Sequence, residues 1–306
     1  MNQRRKNLIR LLVAGLLMLA GVLYTVYAET GTDTLSSSNN NSIPQQLFIT
    51  GENIIHTVKP DESLFNIARI YGVSYPAIAR ANGIDNPNLI FPEQKLVIPL
   101  NVIVPKTTER GILINVPEFR MYVFNNRMLA GVYPICIGLV TWQTPLGEFM
   151  IVDKVRDPAW YMPLEIAERE KVKREIIPAG PDNPLGDRWI GTSVRHTGIH
   201  GTNQPMSIGK ALSHGCVRLY PEDIHKVFEE VAVGDTGAFI YEPVKIYAAE
   251  KEILIEVHPD IYSLISGVEA LAREKLKELN LLDKINPEKL EEELKRISGI
   301  PVSIGR

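Results

Sequence analysis

Between Gly111 and Val152 the chain is written in short alternating runs separated by turn residues, and that leaves room for few architectures. Ile112–Val116, Arg120–Phe124, Leu129–Ile135 and Gly147–Val152 each alternate apolar and polar positions over a strand's length. Asn125-Asn126 sits between the second and third runs and predicts a hairpin turn there. Within residues 110–246 only Leu164–Glu175 and Pro221–Val231 have helical spacing. Strands this short and this regularly spaced predict a mainly β domain over 110–246, sandwich-like with short helices, rather than βαβ units.

The chain has 306 residues, so at roughly 150 residues per domain it should hold about two. Hydrophobic residues make up 45% and charged ones 23%, ordinary globular proportions that exclude wholesale disorder. The net charge is −3, and residues 247–306, with 9 basic and 12 acidic side chains, carry all of it. A neutral remainder excludes a nucleic-acid binder of the basic-patch kind. The two cysteines, Cys136 and Cys216, are too few for a disulfide scaffold or a four-cysteine zinc site.

At the N-terminus Arg4, Arg5, Lys6 and Arg10 precede an uncharged apolar run from Leu11 to Tyr27. A basic flank before an apolar core is the layout of an export signal. Residues 1–28 are therefore expected to be either a signal peptide cut after Ala28 or, through residues 8–28, a retained membrane anchor. In both cases the remainder is exported to the cell envelope, wall or periplasm. Residues 29–53, rich in Ser, Thr, Asn and Gly in their first half, are expected to be a flexible linker.

Residues 54–99 predict strand, helix, helix, strand. The first strand ends at Pro60, and Asp61 or Glu62 is placed to cap a helix whose Leu64, Ile67, Ala68 and Tyr71 share a face. Gly72 stops that helix, a second runs from Pro76 to Asn82, and Lys95–Ile98 closes the unit. His56-Thr57-Val58-Lys59-Pro60, Leu64-Phe65-Asn66-Ile67-Ala68, Tyr71-Gly72-Val73, Asn82-Gly83 and Pro92–Pro99 together resemble a LysM module, a small α+β unit of βααβ order. Glu62 and Glu93 stand where the family commonly has glycine. The resemblance implies a peptidoglycan-binding module that takes glycan strands containing N-acetylglucosamine. Asp61, Ser63, Leu64, Asn88, Leu89 and Ile90 would lie in the groove.

The chemistry is concentrated in His196-Thr197-Gly198-Ile199-His200-Gly201-Thr202 and Leu212-Ser213-His214-Gly215-Cys216-Val217-Arg218-Leu219. A cysteine is an effective nucleophile as thiolate, which near neutral pH requires a base or a positive environment. Gly215 permits a turn that aims amide N–H groups at one point, where an oxyanion could be held. Among the nearby histidines, His200 lies on a separate β element and is the better base, whereas His196 reads as structural or exposed. A zinc site built on His196 and His200 is disfavoured. Thr197-Gly198-Ile199 is a poor helix centre, and no glutamate stands between the histidines.

His200-Gly201-Thr202 followed by Ser213-His214-Gly215-Cys216-Val217-Arg218-Leu219 is similar to the signature of the L,D-transpeptidase (YkuD-type) catalytic domain. Thr144–Phe149, Asp157–Tyr161 and Pro178–Gly186 extend the likeness. The resemblance implies Cys216 as nucleophile, with His200 as its base and the Gly201 carbonyl orienting that base. The amides of His214, Gly215 and Cys216 would form the oxyanion hole. Arg218 and Ser213 would meet substrate or hold the loop, and Trp160 and Tyr161 would line the donor cleft. The implied reaction transfers a peptidoglycan tetrapeptide stem through a cysteine thioester to an amine, forming 3→3 cross-links, with no metal or organic cofactor. Carbapenem β-lactams would acylate Cys216. A carboxypeptidase or endopeptidase using the same thioester, or an inert peptidoglycan-binding scaffold, are the alternatives. Wall endopeptidases that pair cysteine with LysM place Cys before His, the reverse of the order here.

Residues 247–306 are expected to form an α-rich extension of unassigned role. Lys251–Val257 alternates like a strand, Tyr262–Leu282 is amphipathic, and Asn286-Pro287 starts a further helix that ends before Gly299. Cys136 is expected to be a small buried residue at a strand end.

Overall fold

The computed structural model describes residues 48–105, 111–250 and 252–306. The expected export segment and most of the expected linker lie outside these residues. Among the described residues, no helix is long and apolar enough to cross a membrane.

In the first module Ile54–Thr57 pairs antiparallel with Lys95–Ile98, and the helices Leu64–Tyr71 and Tyr75–Ala81 pack between them. Val58, Leu64, Ile67, Ile78, Leu96 and Ile98 form the core. The first helix is capped by Ser63, whose Oγ accepts from the Asn66 amide at 3.2 Å, not by Asp61 or Glu62. Asp61 adopts a left-handed φ of 64°, while the Glu62 carboxylate accepts from the Lys59 amide at 2.8 Å and contacts His56 Nε2 at 2.7 Å. Both acids are thereby removed from the cap position. Gly72, with φ 65°, ends the helix.

The mainly β domain is one curled eight-stranded sheet. From one edge its strands are Val217–Arg218, Gly198–His200, Arg188–Thr192, Gly147–Arg156, Thr236–Ile240, Gly111–Asn115, Arg120–Asn125 and Met128–Pro134. Two neighbour pairs are parallel: Thr236–Ile240 with Gly111–Asn115, and Gly198–His200 with Val217–Arg218. The helix Pro221–Glu230 connects the edge strand to the middle of the sheet and covers its face with Ile224, Val227 and Phe228. The hairpin turn falls one residue later than its sequence suggests. Asn126 and Arg127 occupy it with φ 49° and 63°, and Asn125 pairs with Met128. The helix starting at Leu164 is shorter than its periodicity implies and stops at Glu170, where Lys171 turns left-handed.

The C-terminal residues build a unit with its own core of Val244, Ile246, Ile255, Val257, Leu276, Leu290 and Ile304. Its helices are Val268–Glu278 and Pro287–Arg296, the second capped by Asn286 Oδ1 accepting from the Glu288 and Lys289 amides. Its strands are Val244–Ala249, Glu252–Val257 and the returning Val302–Ser303. The amphipathic stretch after Tyr262 is helical only from Val268, because Asp260 ties the preceding turn: its carboxylate accepts from the Leu264 amide at 3.0 Å and the Ile265 amide at 3.2 Å.

A buried ionic cluster joins this unit to the eight-stranded sheet. Arg120 Nη1 lies 2.5 Å from Glu256, and Lys245 Nζ lies 2.5 Å from Glu118 and 3.1 Å from Glu256. Tyr122 donates to Glu118, Lys245 to the Ile103 carbonyl, and the Ile103 amide to Glu256 at 2.7 Å. His258 Nε2 contacts Glu256 at 2.8 Å.

Candidate active site

The register of two short strands sets the site. In the parallel pair, Ile199 opposes Val217 and His200 opposes Arg218. Ile199 and Val217 are buried in the sheet core. Because side chains alternate, Gly198, His200, Cys216 and Arg218 face the other side, into one cleft. That cleft has a volume of about 860 Å³. Trp142, Trp160, Tyr161 and Trp189 line it together with His200, Cys216 and Arg218.

The turn carrying Cys216 is held from several directions. Cys136 and Arg218 exchange backbone hydrogen bonds of 2.9 and 3.0 Å, and the Leu219 amide donates to the His200 carbonyl at 2.9 Å. Ser213 is buried, and its hydroxyl donates to the Cys216 carbonyl. The hydroxyl proton thus holds the turn, while the oxygen keeps its acceptor capacity and Ser213 lines the cleft. Gly215 has φ 100°, a conformation that L side chains resist, and an added Cβ would meet the Gln143 carbonyl at 3.4 Å.

His200 is buried, and its Nδ1 bonds to the Gly201 carbonyl at 2.6 Å. A carbonyl only accepts, so Nδ1 carries the proton and Nε2 is left with its lone pair. Burial, then the Arg218 charge, push the His200 pKa down to about 3, against the pull of the Gly201 and Leu185 carbonyls. The imidazole is therefore neutral at rest. Trp189 stacks on it with ring centres 5.9 Å apart and planes 22° apart, and Trp189 Nε1 donates to Asp153 Oδ1 at 3.0 Å. Gly198 must lack a side chain, since a Cβ would lie 2.2 Å from the Trp189 ring.

The Cys216 thiol, half-buried, donates to the His196 carbonyl at 3.5 Å. Burial pushes its pKa up, opposed by the Gly198 amide and Arg218. The resting pair is thus a neutral thiol and a neutral imidazole rather than a preformed ion pair. Acylation of Cys216 should accordingly run at a flat rate from about pH 5 to about pH 8, since neither group titrates there. Stopped-flow measurement of carbapenem acylation checks this, and a limb near the ordinary histidine pKa of 6.5 would contradict it.

The other predicted residues are distributed as follows. Arg218 presents a buried Nε without a hydrogen-bond partner, and its Nη1 reaches Gln204 Oε1 at 3.5 Å. Tyr161 is 63% exposed at the cleft mouth, with Trp160 half-buried beside it. His214 lies edge-on to Trp142, ring centres 4.9 Å apart, and 3.5 Å from Glu170. His196 is exposed on a left-handed turn, with Nε2 accepting from Arg195 Nε at 2.8 Å. His196 and His200 do not converge on a common point with Cys216. Among the described residues, the metal-ligand grouping that does converge is Glu118, Glu256 and His258, and Lys245 and Arg120 already neutralise it.

In the first module Asp61, Ser63, Asn88 and Leu89 are exposed and Ile90 is half-buried. Leu64 is 1% exposed in the module core, so its side chain is not available to a glycan. Trp189, Asp153 and Trp142 escaped the sequence reading because their partners lie far away or on other strands. A tryptophan next to a buried isoleucine carries no mark of the histidine it will cover.

Residues 109–246 match the L,D-transpeptidase (YkuD) catalytic domain, and residues 56–99 match the LysM domain. "Probable L,D-transpeptidase YcfS" of Escherichia coli K12 is 34% identical over 222 residues, 69% of each chain. "Probable L,D-transpeptidase ErfK/SrfK" of Salmonella typhimurium is 32% identical over 276 residues, 79% of this chain and 82% of the relative. An L,D-transpeptidase from Mycobacterium smegmatis aligns structurally over 42% of this chain and 57% of its own, at 16% identity and a TM-score of 0.35. A mainly β domain with a cysteine and a histidine on one cleft face, preceded by a LysM domain, thus belongs to the L,D-transpeptidase family.

Proposed function

We propose that this chain is an exported L,D-transpeptidase of the cell envelope whose nucleophile is Cys216. The observation that carries the reading is the cleft face shared by the Cys216 thiol and His200, an imidazole held neutral with Nε2 unprotonated. His200 takes the thiol proton as sulfur attacks the carbonyl of the third, L-centred residue of a tetrapeptide stem. The amides of His214, Gly215 and Cys216 hold the oxyanion. The intermediate collapses to a thioester, and the His200 proton goes to the departing amine of D-alanine. An amine from a second stem, a diaminopimelate side chain, then attacks the thioester, gives its proton to His200 and releases the thiol, leaving a 3→3 amide. Water, a free D-amino acid or a protein lysine are the other acceptors this route admits.

Arg218 supplies a guanidinium fork for a substrate carboxylate, and Trp160 and Tyr161 flank the donor. The LysM domain keeps the enzyme on peptidoglycan, with Asp61, Ser63, Asn88, Leu89 and Ile90 toward the glycan. No cofactor is called for. The test is product analysis on disaccharide tetrapeptides, with and without acceptor stems. A 3→3 dimer formed only when acceptor is present supports the transpeptidase. Tripeptide alone in both arms would make it a carboxypeptidase, and an unchanged stem would reduce it to a binding scaffold.

A further inference from the structure

We infer that Tyr262, contributed by the C-terminal extension, is a positioning residue for the acyl-transfer site. The inference rests on the reading of Cys216 as nucleophile. The wall of the cleft next to the Cys216 turn is the loop between Gly138 and Thr144, which presents Trp142 and Gln143. This loop leaves the short strand Ile137–Gly138, which runs parallel to Ala211–Ser213 immediately before the nucleophile turn. The loop is tied to the strand Ala211–Ser213 and to the helix Leu164–Glu170, whose Arg169 Nη1 donates to the Thr141 carbonyl at 3.1 Å. The Leu139 amide reaches the Ser213 carbonyl and the Trp142 amide the Leu139 carbonyl, each at 2.9 Å.

The base of the loop is closed by a hydroxyl from outside the catalytic sheet. Tyr262 donates to the Gly138 carbonyl at 2.7 Å and accepts from the Thr144 amide at 3.1 Å, so one oxygen bridges both ends of the loop. The Gly138 amide completes the closure by donating to Thr144 Oγ1 at 2.9 Å. Tyr262 is 4% exposed and packs into the catalytic core, not into the core of its own unit. It is fixed in turn by its amide donating to Tyr241 Oη at 2.9 Å. The Tyr241 hydroxyl donates to Asp260 at 2.5 Å, and the two tyrosine rings stack 6.0 Å apart.

What the loop touches is the chemistry. Trp142 meets His214 edge-on, and the Gln143 carbonyl is the nearest atom to the Gly215 Cα face, where a Cβ would sit 3.4 Å away. If the loop base opens, the surface against which His214 and Gly215 are seated moves, and with it the amides offered to an oxyanion. A displacement of that kind affects the transition state more than the binding of the donor. This assigns a role to an extension whose sequence alone offers none: residues 258–265 form a strap from which Tyr262 inserts into the catalytic core and braces the site.

The test is acylation of the full chain by meropenem, followed by intact mass and by tryptophan emission. All three tryptophans, Trp142, Trp160 and Trp189, line the cleft, so emission reports on it. Tyr262→Phe keeps the ring and removes both bonds. The maximal acylation rate should fall about tenfold with little change in half-saturation, as expected for loss of hydrogen bonds that hold a catalytic geometry. Thr144→Val, which removes the companion bond without altering the extension, should lower the same parameter and shift emission in the same sense. Leu276→Ala damages the extension's own core instead. Below its melting temperature it should acylate at the wild-type rate. A wild-type rate and emission for Tyr262→Phe would overturn the inference. So would a rate for Leu276→Ala as low as that of Tyr262→Phe. Absence of an adduct on the wild-type chain would instead sink the reading of Cys216.

Discussion

Cys216→Ala should form no covalent adduct with meropenem and no 3→3 product, while the protein still pellets with insoluble peptidoglycan. The two outcomes should separate because the two domains have separate cores: the LysM domain packs around Leu64, Ile67 and Leu96, far in sequence from the motif. A triad-like unit that loses its nucleophile typically loses about four to six orders of magnitude in rate. His200→Ala should be nearly as severe near neutral pH. The thiol pKa is pushed up by burial, so without a base the thiolate fraction is small. Raising the pH should restore His200→Ala in part and leave Cys216→Ala inert. Product retained by Cys216→Ala would place the nucleophile elsewhere.

Removing Glu256 should be the most damaging single change to stability outside the hydrophobic cores. Its carboxylate is fully buried and faces Arg120, Lys245, His258 and the Ile103 amide. Glu256→Ala leaves two buried cations short of a partner, which costs about 3–5 kcal/mol. The pH dependence has a definite sign. Burial alone would raise the Glu256 pKa, but Lys245 and Arg120 hold it well below the usual carboxylate range. A depressed carboxylate contributes stability above its unfolded value of 4.5 and loses it as pH falls. His258 is pushed below 6.5 by burial, and the unfolded chain takes up that proton first. Both groups make the fold weaken on acidification, beginning near pH 6.5 and steepening below 4.5. Thermal melts from about pH 8 down to about pH 4 should show the decline, and Glu256→Ala should flatten its lower part. A melting temperature independent of pH would mean that the cluster is hydrated.

Much of this was legible in the residues. Periodicity located the strands from Gly111 to Val152 to within a residue or so at their starts, and the helices of the LysM domain with them. Gly147–Arg156 ran on beyond its alternating pattern because its extra length is recruited by Arg188–Thr192, a neighbour from far along the chain. The Ser63 cap was missed because two acids beside it offered the same chemistry, and only their tertiary partners removed them. Leu64 was proposed for a groove that its burial denies.

What the sequence determined by itself was therefore local and chemical: a β pattern, a LysM pattern, and a cysteine preceded by glycine with a histidine sixteen positions upstream. Those follow from rules that act within a few residues. Only the tertiary structure decided that His200 is neutral, that Trp189 covers it, and that Tyr262 reaches from the extension to the base of the cleft loop. Desolvation, ring stacking and a bridging hydroxyl each depend on atoms brought together from distant positions, and no local pattern encodes that proximity.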